Sequence, residues 1–146
     1  MSQDLDRHFA TATNAFADAL WTSLPTDGNV FVSPLSINLA LLLTANGAAE
    51  PSVQEIATAL QLQQLGNIDN VNTAAQQLIG RLNQLTDRAA SFVRIANSIW
   101  IAPTGRFRPE YAQLVASRLG AAAHQLTSID QVRRGCAGSA VLCPHH

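Results

Sequence analysis

The chain has 146 residues, of which 47% are hydrophobic and 13% are charged, and its formal net charge is −1. One domain of this length can bury about 68–70% of the surface that its unfolded chain exposes. All nine basic residues are Arg and they do not cluster before residue 133, which excludes a basic surface for nucleic acid or anionic membranes over most of the chain. The charged fraction is about half the usual ~25%, which predicts a large interface or additional covering structure.

Hydrophobic spacing predicts mostly helices over the first 86 residues. Residues 4–24 carry one apolar stripe with spacings of three and four, which is typical of an amphipathic helix; its members are Leu5, Phe9, Ala12, Phe16 and Leu20. A third helix is expected after Pro51 and a fourth over residues 72–86. The polar residues 61–71 between them predict a loop.

The second helix, within residues 29–50, has almost no polar face. A short β-prone run, residues 30–32, leads into Ser33, a good N-cap, and Pro34, which suits the first helical turn. The helix is expected to end near Asn46, with Gly47 as its stop. A helix that is apolar on nearly every side must be buried nearly all round. Its longest apolar run, residues 39–43, is far shorter than the about 20 residues that span a bilayer.

Two strands are predicted in the second half of the chain. Residues 92–101 alternate between a fully apolar face and a mixed face, which is typical of a strand within a sheet. A turn at residues 103–105, a helix over 109–119 and a second strand within 121–129 follow. Because an isolated two-stranded sheet is marginal, we expect further strands to come from additional sequence or from another chain.

Four segments in order resemble the amino-terminal half of the serpin family. The block NVFVSPLSI at residues 29–37, with the apolar helix after it, carries most of the likeness. It is joined by the end of the opening helix, by Gln54-Glu55-Ile56 with Leu60, and by VRIANSIWI at residues 93–101. The pattern departs from the family at Glu50-Pro51-Ser52, and again at Ser128-Ile129-Asp130, where an aromatic residue is usual.

The resemblance implies an α+β fold, mostly helical, with two strands of an incomplete central sheet. It assigns residues 1–130 to a partial serpin domain. Residues 131–146, which read QVRRGCAGSAVLCPHH, have no periodicity and are expected to be an unrelated, disordered tail. Such an abrupt change in sequence character after residue 130 predicts a shifted reading frame, an unspliced intron or a truncated gene model. Genomic DNA beyond codon 130 should then encode a serpin continuation.

Suicide inhibition of serine or cysteine endopeptidases is the activity that the resemblance implies. Serpin inhibitors offer a reactive loop near the carboxyl terminus as bait, and the cleaved loop inserts into the central sheet. We find no reactive loop in this sequence and expect the chain by itself to be non-inhibitory. The alternatives are a small helical interaction module, or a half that complements a separate carboxyl-terminal serpin fragment.

Three residues match the serpin shutter, the region where a buried helix start lies beneath the central sheet. From the residues alone, Ser33 and Ser36 are best interpreted as an N-cap and a first-turn residue. The resemblance instead favours their assignment to the shutter. Asn97 is expected to lie buried in its strand and to bond backbone, which is a structural role rather than a chemical one.

The sequence contains no pattern that indicates an enzyme, a metal site or a cofactor. Six residues separate Cys136 from Cys143, whereas two to four usually separate the members of a zinc-binding pair, so His145 and His146 are not expected to complete a site with them. Ser139 lacks the second glycine of a nucleophile elbow. The remaining histidines, His8 and His124, have no Asp or Cys near them in the sequence that would suggest a catalytic set.

The expected partner is a serine protease, by resemblance, with neither nucleic acid nor membrane. Unpaired strands leave self-association open as well. The acidic, polar amino terminus carries no secretory signal, which favours the cytoplasm, whereas many serpins are extracellular.

Overall fold

The computed structural model describes residues 2–25, 27–88 and 95–127. The chain forms helices and strands in the predicted order, with one additional 3₁₀ turn at Gln63–Leu65. The helices are α1 (Ser2–Ser23), α2 (Pro34–Gly47), α3 (Ser52–Ala59), α4 (Ile68–Arg88) and α5 (Pro109–Leu119), and the strands are β1 (Asn97–Ile101) and β2 (Ala121–Gln125). No described helix combines the length and the apolarity needed to cross a membrane.

The hydrophobic core lies where α1, α2, α4 and α5 meet. The apolar stripe predicted for α1 is confirmed, since its three central members are buried and its two outer members, Leu5 and Leu20, pack at the margin. The buried cluster comprises Phe9, Ala12, Phe16, Leu39, Leu42, Leu43, Leu60, Leu62, Leu65, Val71, Ala74, Ala75, Ile79, Val115, Leu119 and Ala121. An exposed salt bridge from Arg81 to Asp6 also joins α4 to α1, and such pairs add little to stability.

Helix α2 is buried on one side rather than nearly all round. Leu39, Leu42 and Leu43 are fully covered by the neighbouring elements, whereas Ala40 and Thr44 on the opposite side are exposed. The expectation of all-round burial is therefore wrong for the described residues. Helices α1, α3 and α5 and strand β1 all contact α2, and none of them covers the face that carries Ala40 and Thr44.

The segment from 61 to 71 is more ordered than its polar composition predicted. It contains the 3₁₀ turn, and Leu62 and Leu65 insert into the core from it. Helix α4 then begins at Ile68, four residues before its predicted start, because the Asn67 side chain accepts a hydrogen bond of 2.9 Å from the Asn70 backbone N–H. Asn67 thus acts in the manner of an N-cap that the apolar spacing did not reveal.

Strands β1 and β2 form a parallel pair joined by α5. The register runs from Asn97 opposite Ala121 to Ile101 opposite Gln125. Ile99 and Ala123 pack against the helical core. Since side chains alternate along a strand, the neighbouring pair Trp100 and His124 lies on the other face of the sheet. Their rings stack there with centroids 4.4 Å apart.

Both strands are shorter than predicted. Residues 95 and 96 precede β1 without belonging to it, and residues 126 and 127 follow β2. The predicted positions 92–94 and 128–129 lie outside the described residues, as does the predicted tail from residue 131.

The β-prone run at residues 30–32 is not a strand in this structure. Its central side chain, Phe31, is fully exposed, and Val30 is exposed as well. A strand needs a hydrogen-bonded neighbour, and no strand lies beside residues 30–32 within the described ranges. The prediction from β propensity is therefore wrong here, because propensity is expressed only where a partner strand and burial support it.

Two phenylalanines allow a matched test of this core. We expect Phe9→Ala to lower the free energy of unfolding by about 3–5 kcal/mol, because it opens a cavity among fully buried side chains. Phe31→Ala makes the same chemical change at a side chain that is 102% exposed, against 1% for Phe9, and should alter stability by less than about 0.5 kcal/mol. Urea unfolding of both variants measures the difference, and equal losses would contradict this core.

Candidate functional site at the two ends of the second helix

The amino-terminal end of α2 is capped by Ser33, as the sequence predicted. The Ser33 backbone is extended, and its hydroxyl oxygen accepts a hydrogen bond of 3.3 Å from the Ser36 backbone N–H. The Ser36 hydroxyl donates to the same oxygen at 2.9 Å, and Pro34 occupies the first helical turn. One serine oxygen therefore satisfies two donors at this helix start, an arrangement that contributes about 1 kcal/mol in comparable caps.

The two predicted shutter serines lie together, but Asn97 is not bonded to them. Ser33 and Ser36 are both exposed. Asn97 opens β1 and is partly buried; its side-chain Nδ2 is fully buried and makes no hydrogen bond to the described residues. The Nδ2 of Asn97 therefore donates no bond to backbone within the described residues. The assignment of the three residues to a serpin-like shutter stays a prediction.

Asn38 is a further polar residue of α2 that sequence reasoning overlooked. Its side chain is completely buried, and neither its Nδ2 nor its Oδ1 has a hydrogen-bond partner in the part of the chain that the structure describes. A buried amide without partners costs about 1–3 kcal/mol for each unsatisfied group. The burial of Asn38 could have been predicted from the sequence. Asn38 precedes the buried residues Leu42 and Ala45 by four and seven positions, which places all three on one face of the helix.

Asn72, the other buried asparagine, has hydrogen-bond partners, because it pairs with the partly buried Asn46. Asn46 near the end of α2 and Asn72 in α4 exchange side-chain hydrogen bonds of 2.9 and 2.7 Å. Asn46 also donates to the Leu42 carbonyl oxygen at 2.8 Å. Because each amide both donates and accepts, this pair fixes α2 against α4 without leaving an unpaired group.

The carboxyl-terminal end of α2 is fastened by Tyr111 of α5. The Tyr111 hydroxyl donates to the Leu43 carbonyl oxygen at 2.9 Å. Its ring lies so close to Gly47 that a Cβ added there would meet the ring edge at 3.0 Å. Glycine at position 47 therefore allows the close approach of the two helices. It does not act as the predicted stop, because it is the last helical residue of α2 and Ala48 caps the helix. Partial burial raises the pKa of the Tyr111 hydroxyl above its ordinary value of 10.0.

The other residues considered for catalytic or metal-binding roles do not form a cluster within the described residues. His8 is exposed on α1, and His124 is stacked on Trp100. No group of three or more metal-ligating side chains occurs within residues 2–25, 27–88 and 95–127. Cys136, Cys143, His145, His146 and Ser139 lie outside the described residues.

Helices packed beside a parallel strand pair define an α+β domain with a partial sheet, as predicted. The sequence model of the family described as Serpin (serine protease inhibitor) matches residues 11–133. Since that match covers most of the 146 residues, the chain belongs to the serpin family.

Individual relatives agree with this assignment. Serpin-ZX of Arabidopsis thaliana is 28% identical over 107 residues, which are 71% of this chain and 26% of that protein. Serpin A12 of Mus musculus is 37% identical over 60 residues, which are 41% of this chain and 14% of that protein. The crystal structure of human glycosylated kallistatin superposes with a TM-score of 0.70 at 20% identity, over 94% of this chain and 40% of that chain. The chain therefore spans well under half the length of these relatives.

The pKa of Tyr111 leads to a pH-dependent stability. Because its folded pKa is raised, the folded state favours the neutral phenol; the stabilisation is fully present below pH about 10 and is lost as pH rises through the raised value. Tyr111 is the only tyrosine in the chain, so the tyrosinate absorbance reports it alone. We expect the midpoint of Tyr111 ionisation to lie at higher pH in the folded chain than in denaturant. The Tyr111→Phe variant should lack the loss of stability that this ionisation causes at alkaline pH. Equal midpoints in the two states would contradict the described burial.

Proposed function

We propose that this chain provides the amino-terminal portion of a serpin protease-inhibitor domain, namely its helical base and two strands of its central sheet, and that it catalyses no reaction itself. The observation that carries the proposal is the free edge of β1. Within the described ranges β1 pairs with β2 alone, and a two-stranded sheet is marginal by itself. A further strand is therefore expected, from residues outside the described ranges, from a longer chain or from a partner.

The backbone of β1 indicates which residues such a strand would contact. The Ile101 carbonyl oxygen accepts a hydrogen bond of 3.0 Å from Leu126 N–H, just beyond β2, so this residue points towards β2. Polar groups of successive strand residues point to opposite edges. Ser98 and Trp100 consequently present their N–H and C=O groups to the free edge, which is the template for an added strand.

The proposal includes the inference that these 146 residues by themselves do not trap a protease. Serpin inhibition requires a cleaved reactive loop to enter the central sheet as a new strand. No segment of the sequence resembles such a loop, and the described sheet has only two strands. The complete domain would inhibit a serine endopeptidase, in keeping with the family description, or a cysteine endopeptidase.

Complementation by a separate carboxyl-terminal serpin fragment is the second candidate, and it is favoured over an unrelated interaction module. Phe31 and Val30 are exposed immediately before the capped start of α2. The free edge of β1 provides a second exposed surface on the same chain. A serpin carboxyl-terminal half would supply both strand partners and apolar cover, whereas an unrelated partner would have to match two separate surfaces.

The absence of inhibition can be tested directly. The purified chain is incubated with trypsin-, chymotrypsin- and elastase-like enzymes. We expect it to be cleaved or to remain intact, and to form no covalent complex that survives denaturing electrophoresis. A full-length inhibitory serpin in the same assay is the positive control. A denaturant-stable complex with the 146-residue chain would show that the inference of non-inhibition is wrong.

The free edge can be tested by a substitution that spares the existing sheet. In co-expression with a carboxyl-terminal serpin fragment, we expect the chain to co-purify and to gain resistance to urea. Ser98→Pro removes an N–H that faces the free edge, a position where proline is tolerated in an edge strand, and should abolish co-purification. Ser98→Ala loses the side-chain bond from Trp100 at 2.9 Å but keeps the N–H, so it serves as the matched control. Equal co-purification of the two variants would contradict pairing at this edge.

A further inference from the structure

A cavity of about 530 Å³ lies beside the carboxyl-terminal end of α2. Its walls come from the last turn of α2, the end of β1 and the segment from Arg106 to Tyr111. Small-molecule sites in proteins usually measure about 300–1,000 Å³. The cavity is therefore large enough for a compact organic ligand.

One wall of this cavity is apolar, aromatic and held in place. The Phe107 and Tyr111 rings stack with centroids 5.6 Å apart and planes 20° apart. Tyr111 is fixed by its hydrogen bond to the Leu43 carbonyl oxygen and by its contact with Gly47. Ile101 adds aliphatic surface. A flat apolar group could rest on this wall with little reorganisation of the protein.

The charges around the cavity are positive. Arg106 and Arg108 both line it, and within the described part of the chain neither guanidinium forms a salt bridge. No acidic side chain lines the cavity. Glu110, the nearest acidic residue along the chain, is exposed in the first turn of α5. Unpaired guanidinium groups beside an apolar wall are suited to an organic anion.

The two helix ends give such a ligand an orientation. α5 begins at Pro109, directly after Arg108, so the positive end of its dipole lies on the arginine side. α2 ends at Gly47, and its carbonyl groups carry the negative end of that helix dipole. An anionic group is therefore favoured near the arginines and disfavoured near the end of α2, which leaves the apolar part of the ligand for the aromatic wall.

We propose that this cavity binds a small aromatic carboxylate, with its ring on the Phe107–Tyr111 wall and its carboxylate between Arg106 and Arg108. The planar fork of a guanidinium matches a carboxylate in a bidentate manner. The cavity borders the free edge of β1, because Trp100 lines it as well. Arg106 and Arg108 themselves take no part in the proposed strand pairing or in protease inhibition.

The test uses 2-naphthoate as the probe and isothermal titration calorimetry on the 146-residue chain. We expect saturable binding that is weakened about tenfold or more in an Arg106→Gln/Arg108→Gln double variant, because charge-assisted hydrogen bonds are lost. Arg7→Gln is the matched control, since Arg7 is exposed on α1 away from the cavity. An Arg106→Lys/Arg108→Lys variant keeps both charges and should bind with intermediate affinity.

Each remaining outcome would overturn the proposal. Equal affinity for the neutral analogue 2-naphthylmethanol would show that the arginines do not select an anion. Displacement of 2-naphthoate by an equal concentration of inorganic phosphate would show that the ring contributes nothing. Unchanged binding in the glutamine double variant, or no binding at millimolar 2-naphthoate by a chain with native helical circular dichroism, would exclude the site. Circular dichroism of every variant separates loss of binding from loss of folding.

Discussion

The burial of one side of α2 is the constraint around which the rest of the structure is arranged. Leu39 and Leu42 provide the centre of the core, and the helix is held at its start by the Ser33 cap and near its end by Tyr111 and by the Asn46–Asn72 pair. Side-chain packing supplies most of the stabilising energy, at about 1.5–3 kcal/mol for each large apolar side chain. The polar contacts set where the helix lies.

Two features of α2 and one of β1 support the proposed role in a larger domain. The side of α2 that carries Ala40 and Thr44 is exposed in a helix with almost no polar face. Asn38 is buried without a hydrogen-bond partner among the described residues, and β1 has a free edge. These three features are costs for an isolated domain and are ordinary in part of a larger one. Membership of the serpin family, over about a quarter of the length of its plant relative, fits that interpretation.

Local sequence signals, such as capping residues, predicted where helices begin and end. They could not predict burial or strand pairing where these depend on contacts between residues distant in the sequence. Helix α5 was predicted with its observed ends because Pro109 starts it and Gly120, with a left-handed φ of 59°, stops it. Hydrophobic spacing did not reveal that Leu62 and Leu65 are buried within a polar stretch. Strand alternation could not give the parallel register, since pairing is a property of two segments. Within the site, the Ser33 cap could be predicted because it depends on neighbouring residues. The lack of hydrogen-bond partners for Asn38 among the described residues could not, because it depends on the elements packed around it.

The parallel pair has a consequence for the order in which the chain folds. β1 and β2 are joined by a single short helix, so their contacts are close in sequence and can form early, and domains emerging from the ribosome fold from the amino-terminal side. In the proposed serpin domain, the edge at Ser98 and Trp100 would thus form before a covering strand that follows it in the chain becomes available. During that interval the edge could pair with a neighbouring nascent chain just as well as with its own continuation. In the proposed domain, the time for which this edge stays uncovered would therefore influence how much of the protein reaches a soluble state.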